Sequence, residues 1–263
     1  MSRNILTVPV QKIDGDGSSS LQDLLAIEEP LEIRLGDQTV SITMRTPGHD
    51  TELAAGFLYT EGILSSARQI RHIHASKNAV SVDLNPDVEI DLERLRRNFY
   101  TTSSCGVCGK ASIEALHVQG CPVLPRNGLV ISSAAIHRLP DVLRGDQRVF
   151  DLTGGLHGAA LFDAEGNLTL VREDVGRHNA VDKLIGSEFL AGHLPLSEKL
   201  LLVSGRASFE LTQKAVMAGI PILAAVGAPS SLAVETARRF NMTLLGFVRD
   251  GRFNIYSGSS RIQ

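Results

Sequence analysis

The sequence predicts an α/β protein, α+β overall, in which a C-terminal α/β domain follows a smaller N-terminal α+β domain. Three observations carry that expectation. Short unbroken apolar runs, "KLLLVSG", "IPILAAVG" and "MTLLGFVR", alternate with helical patterns towards the C-terminus, as in a sheet covered on both faces. Residues 31–44 instead alternate with period two on either side of a Gly-Asp turn, the pattern of an antiparallel hairpin. Between these regions "QGCPVLPRNG" holds two prolines and two glycines, and a domain boundary is placed there, near residue 126.

Taken in order, "QKIDGDGSSS" (11–20) is rich in Gly, Asp and Ser and predicts a mobile segment, so residues 1–20 are expected to be flexible. "LEIRLGDQTVSITM" is the first hairpin. Asp50 is the expected N-cap of a helix over "TELAAGFLYTEGI", where Leu53, Phe57 and Leu58 share a face. Short strands follow at "IRHIHAS" and "AVSVDL", then a cysteine loop and a helix over "ASIEALHV". The small domain is therefore 21–126 and the second domain 127–263. In the second, Ser132 or Ser133 caps "AAIHRLPDVLRG", with Pro140 kinking or ending that helix. "GAALFDAEGNLTLVRED" forms a hairpin, and helices over "HNAVDKLIG", "SFELTQKAVMAG" and "SLAVETARRF" interleave with the apolar strands.

Composition limits the function classes. Hydrophobic content of 43 % and charged content of 21 % are ordinary for a soluble protein. The 26 Lys and Arg against 29 Asp and Glu give a net charge of −3, which argues against a nucleic-acid partner. A polyanionic ligand would have to be held by local groups. No run approaches the roughly 20 apolar residues of a membrane span, and "MSRNILTVPV" is too short and polar for a signal-peptide core. Three cysteines do not make a disulfide scaffold. The expectation is a cytoplasmic protein with no membrane association.

The stretch "TTSSCGVCGK" (101–110) sets Cys105 and Cys108 in an open glycine loop. Structural zinc takes about four ligands, usually from two such knuckles. Only one knuckle is present, with Cys121 and His117 as the remaining candidates. A zinc deaminase carries His-x-Glu ahead of its Pro-Cys-x-x-Cys; here His-x-Glu is absent and Ser104 precedes Cys105. Beside zinc, three readings stay open: a dithiol redox pair, a sulfur-carrying thiol, or two inert thiols in a turn. A helix start and Lys110 favour the thiolate, and Gly106 and Gly109 leave its sulfur accessible.

Other stretches suit an anion. "DLTGGLHGAA" gathers Gly154, Gly155 and Gly158 around His157, exposing backbone N–H groups. "VREDVGRHNAVDK" packs Arg172, Glu173, Asp174, Arg177, His178 and Asn179 ahead of a helix. "VSGRASFE", with Arg206, and "VGAPSSLAVE" are strand-to-helix turns of the kind that line one edge of a doubly wound sheet. "FVRDGRFNIY" places Arg249 and Arg252 around an Asp-Gly turn, where two guanidiniums can grip phosphates.

Together "TPGHDTELAAGFLYTEGI", "TSSCGVCGKASI", "GGLHGAAL", "REDVGRHNAVDKLIG", "SGRASFELTQKAVMAGIPILAAVGAPSSLAVETA" and "GFVRDGRFNIY" resemble, in order and spacing, the FdhD family of sulfur carriers required for formate dehydrogenase activity. The resemblance spans about residues 30 to 256. It implies a cytidine-deaminase-like C-terminal α/β domain without the deaminase zinc signature, and no catalytic metal of the protein's own. It also implies a sulfurtransferase that takes persulfide sulfur from a cysteine desulfurase. That sulfur goes to the molybdenum cofactor, bis(molybdopterin guanine dinucleotide), before the cofactor enters formate dehydrogenase. By the same resemblance Cys105 bears the persulfide and Cys108 is its relay or resolving partner. Phe247, Val248, Arg249, Asp250, Gly251 and Arg252 match the cofactor-binding stretch, and the protein is a homodimer. Physical reasoning adds Arg177, His178, Arg206 and the Gly154–Gly155 backbone as holders of the cofactor's phosphates and guanine nucleotides. Two competing readings are a thiol-disulfide oxidoreductase and a non-catalytic cofactor-binding chaperone.

Overall fold

The computed structural model describes residues 4–88, 90 and 121–263. The chain opens with β1 (Ile5–Asp14) and β2 (Gly17–Ala26), a two-stranded antiparallel ribbon. The ribbon takes in the Gly-, Asp- and Ser-rich stretch from which a flexible N-terminal segment was expected. Leu6 lies opposite Leu25 and Val10 opposite Leu21, so apolar cross-strand pairs hold the register. Gly15, at φ 58°, takes the left-handed conformation that a two-residue turn demands.

A four-stranded sheet follows, in the order β4-β3-β6-β5. β3 (Glu29–Leu35) and β4 (Gln38–Arg45) are the expected hairpin. β6 (Ala79–Leu84) runs parallel to β3, and β5 (Ile70–Ala75) is antiparallel to β6. Helix α1 (Asp50–Thr60) crosses between them and covers one face, packing Leu53, Ala54 and Leu58 on Leu31, Ile33, Val80 and Val82. Its N-cap is His49, at φ 57°. Asp50, expected there, is the first helical residue, and its carboxylate receives Arg45 Nε at 2.9 Å and Nη2 at 3.0 Å.

The second sheet has six strands in the order β12-β11-β10-β9-β7-β8. β7 (His157–Phe162) and β8 (Leu168–Asp174) form an antiparallel hairpin. β9 (Leu200–Val203), β10 (Ile222–Ala225) and β11 (Thr243–Arg249) are parallel, and β12 (Arg252–Ser257) returns antiparallel at the edge. The remaining helices are α2 (Ser133–Asp146), α3 (Arg148–Thr153), α4 (Arg177–Leu190), α5 (Phe209–Met217) and α6 (Ser231–Arg239). Ser132 caps α2, accepting from Ala135 N at 3.2 Å, and Pro140 sits inside that helix without ending it. Successive strand residues alternate between two cores. Leu201, Leu223 and Leu244 meet α4, α5 and α6 on one face; Leu200, Leu202, Ile222 and Leu245 meet α2 on the other. This is the α/β arrangement covered on both faces that the apolar runs predicted. Cys121 and Leu124 already lie in the first of these cores, ahead of residue 126.

The two sheets are joined chiefly where α1 lies against α4. Gly56 and Gly186 bring the backbones into contact: a Cβ on Gly56 would fall on the Asp182 carbonyl, and one on Gly186 on that of Glu52. Around the contact every charge has a partner. Arg172 donates to both oxygens of Glu52, at 2.6 and 2.8 Å. Lys183 meets Asp174 at 2.7 Å and the Thr46 carbonyl at 2.8 Å. Lys214 bonds Asp182, Thr60 and Glu61. Burial opposes ionisation of Glu52, but hydrogen bonds from His49 and Arg172 and their charges overcome it and bring its pKa to about 2.

Candidate functional site at the carboxyl edge of the six-stranded sheet

The parallel strands β9, β10 and β11 end on one edge of the sheet, and antiparallel β7 begins there. The turns after those strands are knit together. Gly227 N donates to Gly205 O at 2.9 Å, and Phe247 N to Gly227 O at 3.1 Å. Gly227 has no room for a side chain, since a Cβ would lie 3.0 Å from Arg206 Cγ and 3.1 Å from Gly205 O. Ser204 Oγ accepts from Gly158 N at 2.9 Å, which fixes the start of β7 against the end of β9. The His157 ring consequently packs over Gly205. Ser208 and Ser230, capping α5 and α6, lie in these same turns. Such an edge is where open α/β sheets place their ligands.

α4 starts beside this edge, with Arg177 and His178 as its first residues. His178 Nε2 lies 3.4 Å from Ser208 Oγ and 3.8 Å from a Glu210 carboxylate oxygen. Burial lowers its pKa to about 4, assisted by the charges of Lys214 and Arg177 and opposed by Glu210. His157 is lowered too, by burial and by Arg177, with Asp174 opposing. Both imidazoles are therefore neutral donor–acceptors at neutral pH. Arg177 differs from the arginines at the joint between the sheets: its Nε is buried and meets no acceptor among the described residues. An unsatisfied buried donor costs about 1–3 kcal/mol, so an anion that bonded it would recover that cost.

The stretch 247–252 closes the edge with a bulge. Between Gly246↔Asn254 and Arg249↔Arg252 the register slips by one residue, and Phe247 takes φ 55°. Asp250 and Gly251, at φ 53° and 67°, make the turn into β12. Arg249 and Arg252 are thus a directly opposed cross-strand pair with side chains on one face, both exposed. Like charges so placed repel, and an anion between them would relieve it. Asp250 lies 4.0 Å from Arg249, and the Arg249 guanidinium is 5.8 Å from the Phe247 ring centre. Val248 is different: its side chain is wholly buried in the core over α2, so it anchors the stretch and has no side-chain surface for a ligand.

Of the residues picked from sequence, the edge brings together Arg177, His178, the Arg206 turn and Phe247. Gly154 and Gly155 lie further out. Gly154 ends α3 at φ 66°, and Gly155 sits 3.5 Å from the Ala26 side chain at the base of the ribbon. Cys105 and Cys108, with the helix expected after them, lie outside the described residues. The sequence noted His157 only as the centre of a glycine cluster and passed over Ser208 and Glu210. Their signal is register, since His157 faces Gly205 only because β7 pairs with β9.

Fold and edge place the chain in a class that a solved structure also represents. A crystal structure described as a formate dehydrogenase accessory protein, from Desulfotalea psychrophila, superposes with a TM-score of 0.80 at 27 % identity, covering 98 % of this chain and 99 % of that one. The chain belongs to the FdhD/NarQ family, whose model matches residues 26–263. Among curated relatives, the sulfur carrier protein FdhD of Streptomyces coelicolor is 52 % identical, over 94 % of this chain and 92 % of that protein. Those of Mycobacterium tuberculosis and Sulfolobus acidocaldarius are 46 % and 42 % identical, over 96 % and 98 % of each chain. Among the described residues no helix is long and apolar enough to cross a membrane.

Proposed function

We propose that the chain is a cytoplasmic sulfur carrier for formate dehydrogenase, moving sulfur from a cysteine desulfurase to the molybdenum cofactor while holding that cofactor at the carboxyl edge of its six-stranded sheet. The observation that carries the binding half is the collection of cations there: Arg177 with its orphaned Nε, and the opposed, exposed Arg249 and Arg252, whose nearest carboxylate is Asp250 at 4.0 Å from Arg249. A cofactor with two guanine nucleotides and two pyrophosphates supplies negative charge complementary to these guanidiniums. Backbone N–H groups and Arg206 lie within the same turns. Family membership, and the names borne by relatives of about half identity, support the sulfur-carrying half.

The transfer balances as follows. The Cys105 thiolate attacks the outer sulfur of the desulfurase persulfide; that S–S bond breaks, the donor cysteine leaves as thiolate, and Cys105 becomes the persulfide. The Cys108 thiolate then attacks the inner sulfur. The outer sulfur departs as hydrosulfide towards the metal, and a Cys105–Cys108 disulfide is left. A dithiol reductant returns the pair to thiols, accepting the disulfide in exchange. Thiolate nucleophilicity drives both attacks. The cofactor is cargo in this scheme and is held in register by the edge residues. The functional unit is taken to be a homodimer.

Incubation with a cysteine desulfurase and cysteine, followed by intact-mass measurement, tests the carrier. The expected product gains the mass of one sulfur atom, and the gain disappears in Cys105→Ala. A protein that never gains it, or gains it equally in that variant, overturns the carrier reading.

A further inference from the structure

The outer face of the four-stranded sheet, away from α1, carries a side-chain group that the sulfur-carrying reading leaves unused. On β5, Ile73 packs toward the core of the small sheet, while His72 and His74 both face solvent, as the two-residue period of a strand requires. The β5–β6 register sets Asp83 directly opposite His72 and Ser81 opposite His74. Val80 and Val82 of β6 are buried, so Ser81 and Asp83 share the outer face with the two histidines. The imidazole centres are 6.0 Å apart, and His74 Nε2 lies 3.3 Å from Asp83 Oδ2.

A tetrahedral divalent ion bound at about 2.0–2.2 Å by nitrogen and oxygen keeps its ligand atoms about 3.3 Å apart, so the His74–Asp83 pair is spaced within reach of a shared ion. On the same geometry two histidine rings sharing one ion have centres roughly 5–6 Å apart. Among the described residues no three His, Cys, Asp or Glu side chains converge as they stand, so His72 must rotate inward to complete a triad. It is exposed, β5 is the outermost strand of its sheet, and exposed rotamers interchange within nanoseconds.

We propose that His72, His74 and Asp83 bind a divalent transition-metal ion of the zinc, nickel or copper class, with two imidazoles and one carboxylate as ligands and water completing the shell. Imidazole selects these ions over magnesium and calcium, which take oxygen ligands. The ion clips the edge strand β5 to β6 and stabilises the folded chain in proportion to its occupancy. The site is separate from the cysteines and from the carboxyl edge of the large sheet, and it stands or falls independently of the sulfur chemistry.

The test is calorimetric titration of the full chain with Ni²⁺, using Cys105→Ser/Cys108→Ser so that those thiolates do not compete. One equivalent should bind with micromolar affinity, and Mg²⁺ should give no binding heat. His72→Ala and His74→Ala should each weaken Ni²⁺ binding at least about tenfold, and Asp83→Asn by a comparable factor. All three positions are on the surface, so circular dichroism melts without metal should match the parent. With Ni²⁺ the parent melting temperature should rise and that of the His72→Ala/His74→Ala variant should not. No binding by the parent, or an unchanged isotherm in the double variant, overturns the site.

Discussion

Arg172 and Arg177 come from the same charged segment, yet the structure treats them in opposite ways. Arg172 faces the joint between the two sheets, where Glu52 takes two of its donors, the Val171 carbonyl takes Nη1 and Ser187 also receives Nη2. Arg177 faces the carboxyl edge, where its buried Nε meets no acceptor among the described residues. The same contrast divides the rest of the segment. Glu173 accepts from Val149 N and Phe150 N, and Asp174 from Gly176 N, Asn179 and Lys183. His178 instead stands 3.4 Å from a single hydroxyl. Charge density in a sequence marks both places; only pairing separates the residues that hold the fold from those left open for a ligand.

If the joint is dry and fully paired, breaking one pair there should have the largest effect. Lys214→Met leaves the Asp182 carboxylate buried without its cation, which typically costs about 3–5 kcal/mol. Adding Asp182→Leu removes the stranded charge and should restore much of that loss. Urea unfolding of the single and double variants measures both. A single-variant cost below about 1 kcal/mol, the value of an exposed pair, would remove the distinction between joint and edge.

Backbone contact gives the next comparison. Gly186→Ala drives a methyl group into the Glu52 carbonyl, and overpacking against backbone costs roughly 3 kcal/mol or the upper end of that class. Gly205→Ala, at the carboxyl edge, meets only the His157 ring at 3.5–3.6 Å and should cost less than about 1 kcal/mol. Thermal melts of the pair check the order. Equal shifts would mean that Gly205 is packed as tightly as the joint.

Arg177→Gln separates stability from binding. With no acceptor to lose, the fold should keep its stability to within about 1 kcal/mol. Affinity for guanosine diphosphate, a fragment of the proposed cargo, should fall at least about tenfold with one charge-assisted hydrogen bond gone. Calorimetry and a melt on the same sample read both quantities. A destabilised variant that still binds the nucleotide would place Arg177 with Arg172.

Much of this was legible in the residues. The apolar runs gave β9, β10 and β11, because strands buried on both faces have no room for alternation. Arg249, Arg252, Arg177 and His178 were visible because turns in an α/β sheet collect on one edge. The ribbon at residues 5–26 was missed because its glycines and serines signal a loop locally, whereas its register rests on leucines and valines at its far end. Val248 stands among the binding residues through the family resemblance, and its burial was not legible because adjacency in sequence says nothing about which face a bulge turns inward. Arg172 and Lys214 could not be recognised as structural, since Glu52 and Thr60 reach them only through the α1–α4 contact.

The last comparison lies in the acid limb of stability. An unfolded chain takes up the His178 proton near the ordinary 6.5, whereas in the folded protein burial, Lys214 and Arg177 hold that pKa to about 4. Between those values the unfolded state binds more protons, so stability falls as pH drops through the window and is fully present above it. Glu210, whose carboxylate faces the ring, works against the shift, as Lys214, Arg177 and His157 work for it. His178→Gln keeps a polar side chain but has no proton to take up, so its stability should be flatter between pH 6.5 and 4. The Glu52 contribution, lost only as pH falls from 4.5 towards 2, should persist in the variant and serves as the internal control. Urea unfolding at steps across both ranges resolves the two. A variant whose slope matches the parent in the upper window would show that His178 is hydrated and readily charged, and that burial does not hold it neutral at the edge.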